Sequence, residues 1–146
     1  MSLTIRWAST ADQVWIDTQY QDIDFLPSDV QVDRVAIAEW EGQPSGLGRL
    51  VPVGDQQWEL GGMYVLPDFR RKGIARRVVQ YLLDATDAGT TLYCIPFLHL
   101  STFYESFGFR KVPKADLDEV PAVILSKRQW CDTNYENQMG LLVTQL

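Results

Sequence analysis

Apolar and polar positions follow a strand-like pattern over residues 35–65 and change to helical spacing from Ile74. Thr4-Ile5-Arg6-Trp7-Ala8 reads as a first strand. Ser9 or Thr10 is suited to cap a following helix, with Val14, Trp15 and Thr18 on its apolar side. Residues 17–34 mix Asp17, Asp22, Asp24, Asp29 and Asp33 with Tyr20, Phe25, Leu26 and Pro27, the composition of a broken helix or a long loop. Val35-Ala36-Ile37-Ala38-Glu39-Trp40 is a strand, and Glu41-Gly42-Gln43-Pro44 is a turn. Ser45 to Val53 is a second strand, interrupted by Gly46 and Gly48. Gly54-Asp55 turns again, and Gln56 to Val65 is a third strand. The three form an antiparallel meander.

Pro67-Asp68-Phe69 breaks the last of these strands. Ile74, Val78, Val79, Leu82 and Leu83 then recur with charges between them, which predicts an amphipathic helix stopped near Gly89. Thr91 to Ile95 is a strand, ended or bent by Pro96. Leu98 to Ser106 is a short helix stopped by Gly108. Phe109 to Val112 and Ala122 to Ser126 read as two closing strands. The last residues hold Trp130, Tyr135 and the run Leu141-Leu142-Val143 but show no clear period. The order β-α-(α)-β-β-β-α-β-α-β-β predicts an α/β arrangement with a mostly antiparallel sheet.

Length and composition narrow the classes. A chain of 146 residues fits one domain and buries enough surface to need neither disulfides nor metal for its core. Thirteen Lys and Arg against nineteen Asp and Glu give a net charge of −6, which argues against broad nucleic-acid binding. Cys94 and Cys131 make no disulfide framework. No apolar run reaches the roughly 18 residues of a transmembrane helix, and no secretory signal is visible, so a cytoplasmic protein is expected.

Against this acidic background Arg70, Arg71, Lys72, Arg76 and Arg77 cluster between a strand and a helix. A helix start carries unpaired amide groups and partial positive charge, and it favours phosphate. Gly73 lets backbone approach a ligand closely, and Ala75 keeps the next contact small. An ordinary helix start with a solvated basic face is the plain alternative. Neither a Walker-type loop nor a dinucleotide fingerprint is present.

The run Val65-x-Pro67-x-x-Arg70-x-x-Gly73-Ile74-Ala75 resembles the coenzyme A signature of the GNAT superfamily of N-acetyltransferases, written Arg/Gln-x-x-Gly-x-Gly/Ala. Phe103-Tyr104-Glu105-Ser106-Phe107-Gly108-Phe109 resembles that family's second motif, which ends in Tyr-x-x-x-Gly-Phe. The motifs stand in the family's order, and the resemblance covers roughly residues 4–126. It implies a single GNAT-like α/β (α+β) domain over residues 1–146, with 127–146 an unassigned extension. Its sheet would be mixed and mostly antiparallel, of six to seven strands, with helices on both faces and a V-shaped cleft.

The resemblance also implies chemistry. Acetyl-CoA is the co-substrate, no metal is needed, and an amine attacks the thioester directly in a ternary complex. The backbone of Met63-Tyr64-Val65 would pair with the pantetheine arm, and the Met63 N–H would face the acetyl carbonyl as an oxyanion-type donor. Gly61-Gly62 suits the β-bulge of that strand, or alternatively a close-packed neighbour. The amides of Arg71, Lys72, Gly73, Ile74 and Ala75 would cradle the pyrophosphate, with Arg70, Arg71 or Arg76 reaching phosphates by side chain. Tyr104 matches the family's tyrosine near the leaving sulfur, where a phenol hydroxyl can give the thiolate a proton or bond to it; a core tyrosine beside Phe103 and Phe107 is the alternative. Glu59 stands where some members carry a glutamate base; a surface carboxylate or an ion-pair partner is the alternative. Phe97 and Leu100 depart from the family's Asn and small residue, so a side-chain contact to coenzyme A is lost.

The family's acceptor site would use residues 9–34 and 113–121. Both are acidic, which favours a cationic amine, whereas Tyr20, Phe25 and Trp130 would suit an apolar one. His99, the only histidine, is more often a surface or structural residue than an acceptor contact, and Cys94 reads as a small buried apolar residue. Oligomers are common in the family, so a homodimer is one expectation, with the tail adding a strand or covering a partner. Neither a nucleic acid nor a membrane is an expected partner. A non-catalytic acyl-CoA-binding module and an interaction domain using the acidic face are the rival readings.

Overall fold

The computed structural model describes residues 2–146. Seven strands form one sheet in the order β1-β2-β3-β4-β5-β7-β6, where β1 is Leu3–Trp7, β2 Arg34–Trp40, β3 Gln43–Gly54, β4 Gln57–Val65, β5 Thr91–Cys94, β6 Arg110–Lys111 and β7 Leu142–Gln145. The pair β4–β5 is parallel, over Gln57–Glu59 against Thr91–Tyr93, while β1–β2, β2–β3, β5–β7 and β6–β7 are antiparallel. Beyond the last parallel pair β4 continues to Val65. Among the described residues four α-helices accompany the sheet: α1 Gln13–Asp22, α2 Ile74–Asp84, α3 Ser101–Glu105 and α4 Ala122–Asn134. The chain divides into two compact units.

The first unit takes residues up to Val51 together with Gly62–Thr86. Its strands carry a different helix on each face. Val35, Ile37 and Leu47 point to one face and pack with Ile16 and Tyr20 of α1. The opposite face is made small: Ala36 pairs with Gly48, and Ala38 with Gly46. A side chain on Gly46 would stand 3.3 Å from Ile74, and one on Gly48 would stand 3.0 Å from Val78, so α2 lies directly over these glycines. The predicted interruption of β3 by Gly46 and Gly48 is therefore corrected. The strand is continuous, because strand hydrogen bonding needs no side chain and the helix fills the space. Burial of Ile74, Val78, Val79 and Leu82 holds α2 there, each contributing on the order of 2 kcal/mol.

Other local expectations change as well. Pro44 lies within β3, opposite Glu39 beside a register shift, where its missing N–H leaves no gap in the ladder. Ser9 does start the N-terminal turn, through a capping box with Asp12. The inward residues of α1 are Ile16 and Tyr20, whereas Val14 is 78% exposed.

The second unit takes Pro52–Gly61 and Asp87–Leu146. Here the expected strand at 122–126 is a helix. Pro121 precedes it, and Ile124 and Cys131 are its buried positions. A short apolar run does not by itself distinguish a strand from a buried helix turn. The strand that the sheet needs comes instead from the tail. Leu142–Gln145 pairs with Thr91–Cys94 on one side, and Leu142 and Val143 pair with β6 on the other. Tyr93, Val120, Ile124, Leu141 and Val143 make the core of this unit.

Candidate active site

Each unit presents part of the expected machinery. In the first, a 3-10 turn at Pro67–Phe69 ends β4 and leads to the basic segment. Arg71 and Gly73 both adopt left-handed backbone, with φ of 65° and 76°. Gly73 is the N-cap of α2 and has open space where a side chain would be. The first helical bond beyond it runs from Arg77 N–H to Gly73 C=O at 3.2 Å. The opening amides of α2 thus have no partner within the helix. Arg71, Lys72 and Gly73 are exposed. A cavity of about 410 Å³ lies beside them, lined by Leu3, Trp40, Lys72, Gly73, Arg76 and Arg77. The Lys72 ammonium sits 4.8 Å from the centre of the Trp40 ring, which steadies one of the cations.

Arg70 is exposed and folds back along the chain. Its Nε donates to the Val65 carbonyl at 3.1 Å, and its guanidinium lies 5.9 Å from the Tyr64 ring. Of the residues expected to reach phosphate, Arg70 therefore holds the end of β4 in shape.

Gly62, within β4, has φ of 62°. A left-handed residue inside a strand marks a local irregularity, and glycine adopts it without strain. Its carbonyl accepts a hydrogen bond from the Tyr20 hydroxyl at 2.8 Å. A Cβ at Gly62 would stand 2.5 Å from that hydroxyl oxygen and 2.8 Å from Arg49 Nε. Of the two readings of the glycine pair, the close-packed neighbour is seen at this residue, on a left-handed backbone. Arg49, which the sequence analysis did not single out, is 3% exposed. Its signal was a charged residue inside the otherwise apolar run Gly46-Leu47-Gly48-Arg49-Leu50-Val51.

In the second unit, Tyr104 on α3 is 6% exposed and meets the rings of Phe103 and Phe109 at 5.0 and 6.3 Å. His99 is exposed and stacks on Phe97 at 6.0 Å. Glu59 is buried, and both carboxylate oxygens accept bonds from the Lys127 ammonium at 2.8 Å. A side chain on Gly61 would stand 3.0 Å from the Glu59 carboxylate, so Gly61 keeps that space clear. Sequence reasoning missed Lys127 because 122–126 read as a strand. Cys94 and Cys131 are free and buried. Burial pushes the Cys94 thiol well up from its ordinary value, and the nearby Glu59 charge adds to this. Burial raises the Cys131 thiol as well.

The acidic stretch 9–34 is partly neutralised. Asp12 takes two bonds of 2.9 Å from Arg6, which hold its carboxyl down at about 2. Asp17 accepts from Gln13, and Asp33 from Ser28. Among the described residues no group of three or more His, Cys, Asp or Glu is placed to hold a metal ion. Among the described residues no helix is long and apolar enough to cross a membrane.

The acetyltransferase (GNAT) domain family matches residues 31–111, more than half of the chain, and the chain belongs to this family. No curated protein matches by sequence. Solved structures share the fold. Rv2747 from Mycobacterium tuberculosis, in complex with CoA and NLQ, is 18% identical, with 98% of this chain and 99% of that one covered and a TM-score of 0.74. Naa50 from Arabidopsis thaliana, with the bisubstrate analogue CoA-Ac-MVNAL, is 10% identical over 100% of both chains, with a TM-score of 0.71. N-acetylglutamate synthase from Neisseria gonorrhoeae, with coenzyme A and N-acetyl-glutamate, is 16% identical with a TM-score of 0.70. The match takes in 100% of this chain and 35% of the synthase, so this chain spans about a third of that protein's length.

Proposed function

We propose that the chain is an acetyl-CoA-dependent N-acetyltransferase that acetylates a primary amine by direct attack in a ternary complex. The observation that carries this reading is the start of α2. Left-handed Arg71 and Gly73 precede amides with no helical partner, beside a cavity lined by Lys72, Arg76 and Arg77. Such an arrangement suits a polyanion with closely spaced phosphates, which coenzyme A carries. In this reading the amides of Arg71, Lys72, Gly73, Ile74 and Ala75 take the pyrophosphate, Arg76 adds charge, and Arg70 shapes the end of β4. The backbone of Met63, Tyr64 and Val65 takes the pantetheine arm.

The amine lone pair attacks the thioester carbonyl carbon, and the Met63 N–H steadies the oxyanion that forms. Collapse breaks the C–S bond, and the Tyr104 hydroxyl gives its proton to the departing thiolate. The amine must arrive neutral, so its proton leaves to a base. Glu59 was the expected base, but both its oxygens are engaged by Lys127. We assign Glu59 to that ion pair and the proton to a solvent-linked route. The proteins sharing the fold are complexed with N-acetyl-glutamate and with a peptide-bearing bisubstrate analogue, so small-molecule and peptide amines are both candidate acceptors.

The test is release of free thiol from acetyl-CoA in the presence of an amine panel. Turnover with at least one amine is expected. Tyr104→Phe should lower kcat on the order of a hundredfold while leaving acetyl-CoA binding intact. Binding of acetyl-CoA with no turnover across the panel would replace the enzyme by a non-catalytic acyl-CoA-binding module.

A further inference from the structure

We infer that Arg49 is the anchor for a carboxylate on the acceptor, and that the acceptor is a compact amino acid with amine and carboxylate close together. The inference rests on the transfer reading above.

Arg49 lies in β3 and is 3% exposed, yet no carboxylate among the described residues pairs with it. Its Nη1 donates to the carbonyls of Leu26 and Pro27 at 3.0 and 3.1 Å. Its guanidinium lies 4.6 Å from the centre of the Tyr20 ring. Nε is buried with no hydrogen-bond partner. Carbonyl dipoles and a ring face compensate a buried cation only in part, and an anion completes the set. Guanidinium is also the group best matched to a planar carboxylate, through two parallel N–H bonds.

The position of the cation sets the size of the ligand. Nε lies 2.8 Å from where a Gly62 Cβ would stand, so the guanidinium overhangs Gly62 itself. Gly62 is followed directly by Met63, whose N–H the proposed mechanism gives to the acetyl carbonyl. A carboxylate at Arg49 is therefore within one or two residue lengths of the reacting carbonyl. An amine carried on the same carbon as the carboxylate, or one carbon further, spans that gap; a long polyamine has nothing to offer the cation. The absence of a side chain at Gly62 is what lets the guanidinium come this close to the strand, and Tyr20, whose hydroxyl bonds to the Gly62 carbonyl, packs against the same point.

The experiment compares each amino acid with its own carboxamide, in which the amine stays and the charge is lost. The full chain is used with acetyl-CoA for rates, and with CoA for calorimetric binding. Preferred amino acids should exceed their carboxamides in kcat/KM by on the order of a hundredfold, because the amide leaves the buried cation unpaired. Arg49→Met should abolish that preference by raising the acceptor KM, with acetyl-CoA affinity unchanged. Arg49→Lys should restore part of it. Carboxamides or polyamines acetylated as well as amino acids would overturn the inference on the unmodified protein, whether or not Arg49→Met folds. If acetyl-CoA binds and no amine turns over, the transfer reading fails. Calorimetry with amino acids in the presence of CoA still decides the anchor: binding lost in the carboxamide supports it, and no binding overturns it.

Discussion

Lys127 closes on both oxygens of Glu59, with its ammonium 2.8 Å from each. The carboxylate side chain is 4% exposed and the lysine side chain 20%. The pair joins the start of β4 to α4 inside one compact unit. Removing only the lysine leaves a buried carboxylate without a counter-charge, and this is the costly way to break such a pair. Lys127→Met should therefore lower unfolding stability by about 3 kcal/mol. Adding Glu59→Gln to that variant should recover most of the loss. Urea unfolding of the two singles and the double measures this, and additive losses would contradict it. Glu59→Gln alone should retain acetyl transfer within about tenfold; a loss of 10²-fold or more would return the base role to Glu59.

Gly48 sits beneath α2. A Cβ there would clash with the Met63 sulfur and stand 3.0 Å from Val78 and 3.3 Å from Leu82. Met63 is the flexible end of a side chain and can yield, but the two helix contacts tighten together. Gly48→Val should cost about 2–3 kcal/mol by pushing α2 away from the sheet. Thermal unfolding checks this, and a melting temperature within a degree of the parent would refute the packing role.

Gly73 makes a different prediction, because nothing lies within 4 Å of its missing side chain. The constraint there is φ of 76°, which a β-branched residue resists. Gly73→Val should reorient the amides ahead of α2. It should weaken CoA binding by roughly five- to thirtyfold, the equivalent of the strain involved, about 1–2 kcal/mol, while the far-UV spectrum stays native. Isothermal calorimetry with CoA is the measurement; unchanged affinity would place the phosphates elsewhere.

Arg6 and Asp12 predict a pH dependence. The hydrogen bonds from Arg6 lead the causes that lower the Asp12 carboxyl from 3.8 to about 2. A carboxyl depressed in the folded state adds stability that is full above its unfolded value and is lost as pH falls through the folded one. Stability should thus decline between about pH 4 and pH 2 more steeply in the parent than in Asp12→Asn. Denaturant midpoints across that range test it, and parallel profiles would remove the pair from the acid response.

Cys94 and Cys131 are both buried, and desolvation raises both thiols. The thiolate is the reactive form, so neither should react with a disulfide reagent at neutral pH until the chain unfolds. Rapid native labelling of Cys94 would contradict its burial.

Much of the fold was legible because local pattern and tertiary environment agreed. The apolar run in Val35–Trp40 and the spacing of Ile74, Val78, Val79 and Leu82 gave the right elements. The errors arose where a residue's role depended on a distant partner. Gly46 and Gly48 looked like breaks in β3 because the helix that fills their space comes later in the chain. Ala122–Ser126 looked like a strand because its apolar run is too short to show a period. The tail looked irregular because β7 has only four residues, and its neighbours β5 and β6 precede it.

By itself the sequence determined the basic turn before α2, the Tyr104 motif and the family they resemble. Such motifs are contiguous, and their chemistry lies in backbone conformation and residue type over a few positions. The tertiary structure decided the partners. It gave Glu59 to Lys127, placed Arg70 on the Val65 carbonyl, and brought Arg49, Tyr20 and Gly62 to one point. Ion pairs, buried charges and close approaches are properties of distance in space, which separation along the chain does not encode.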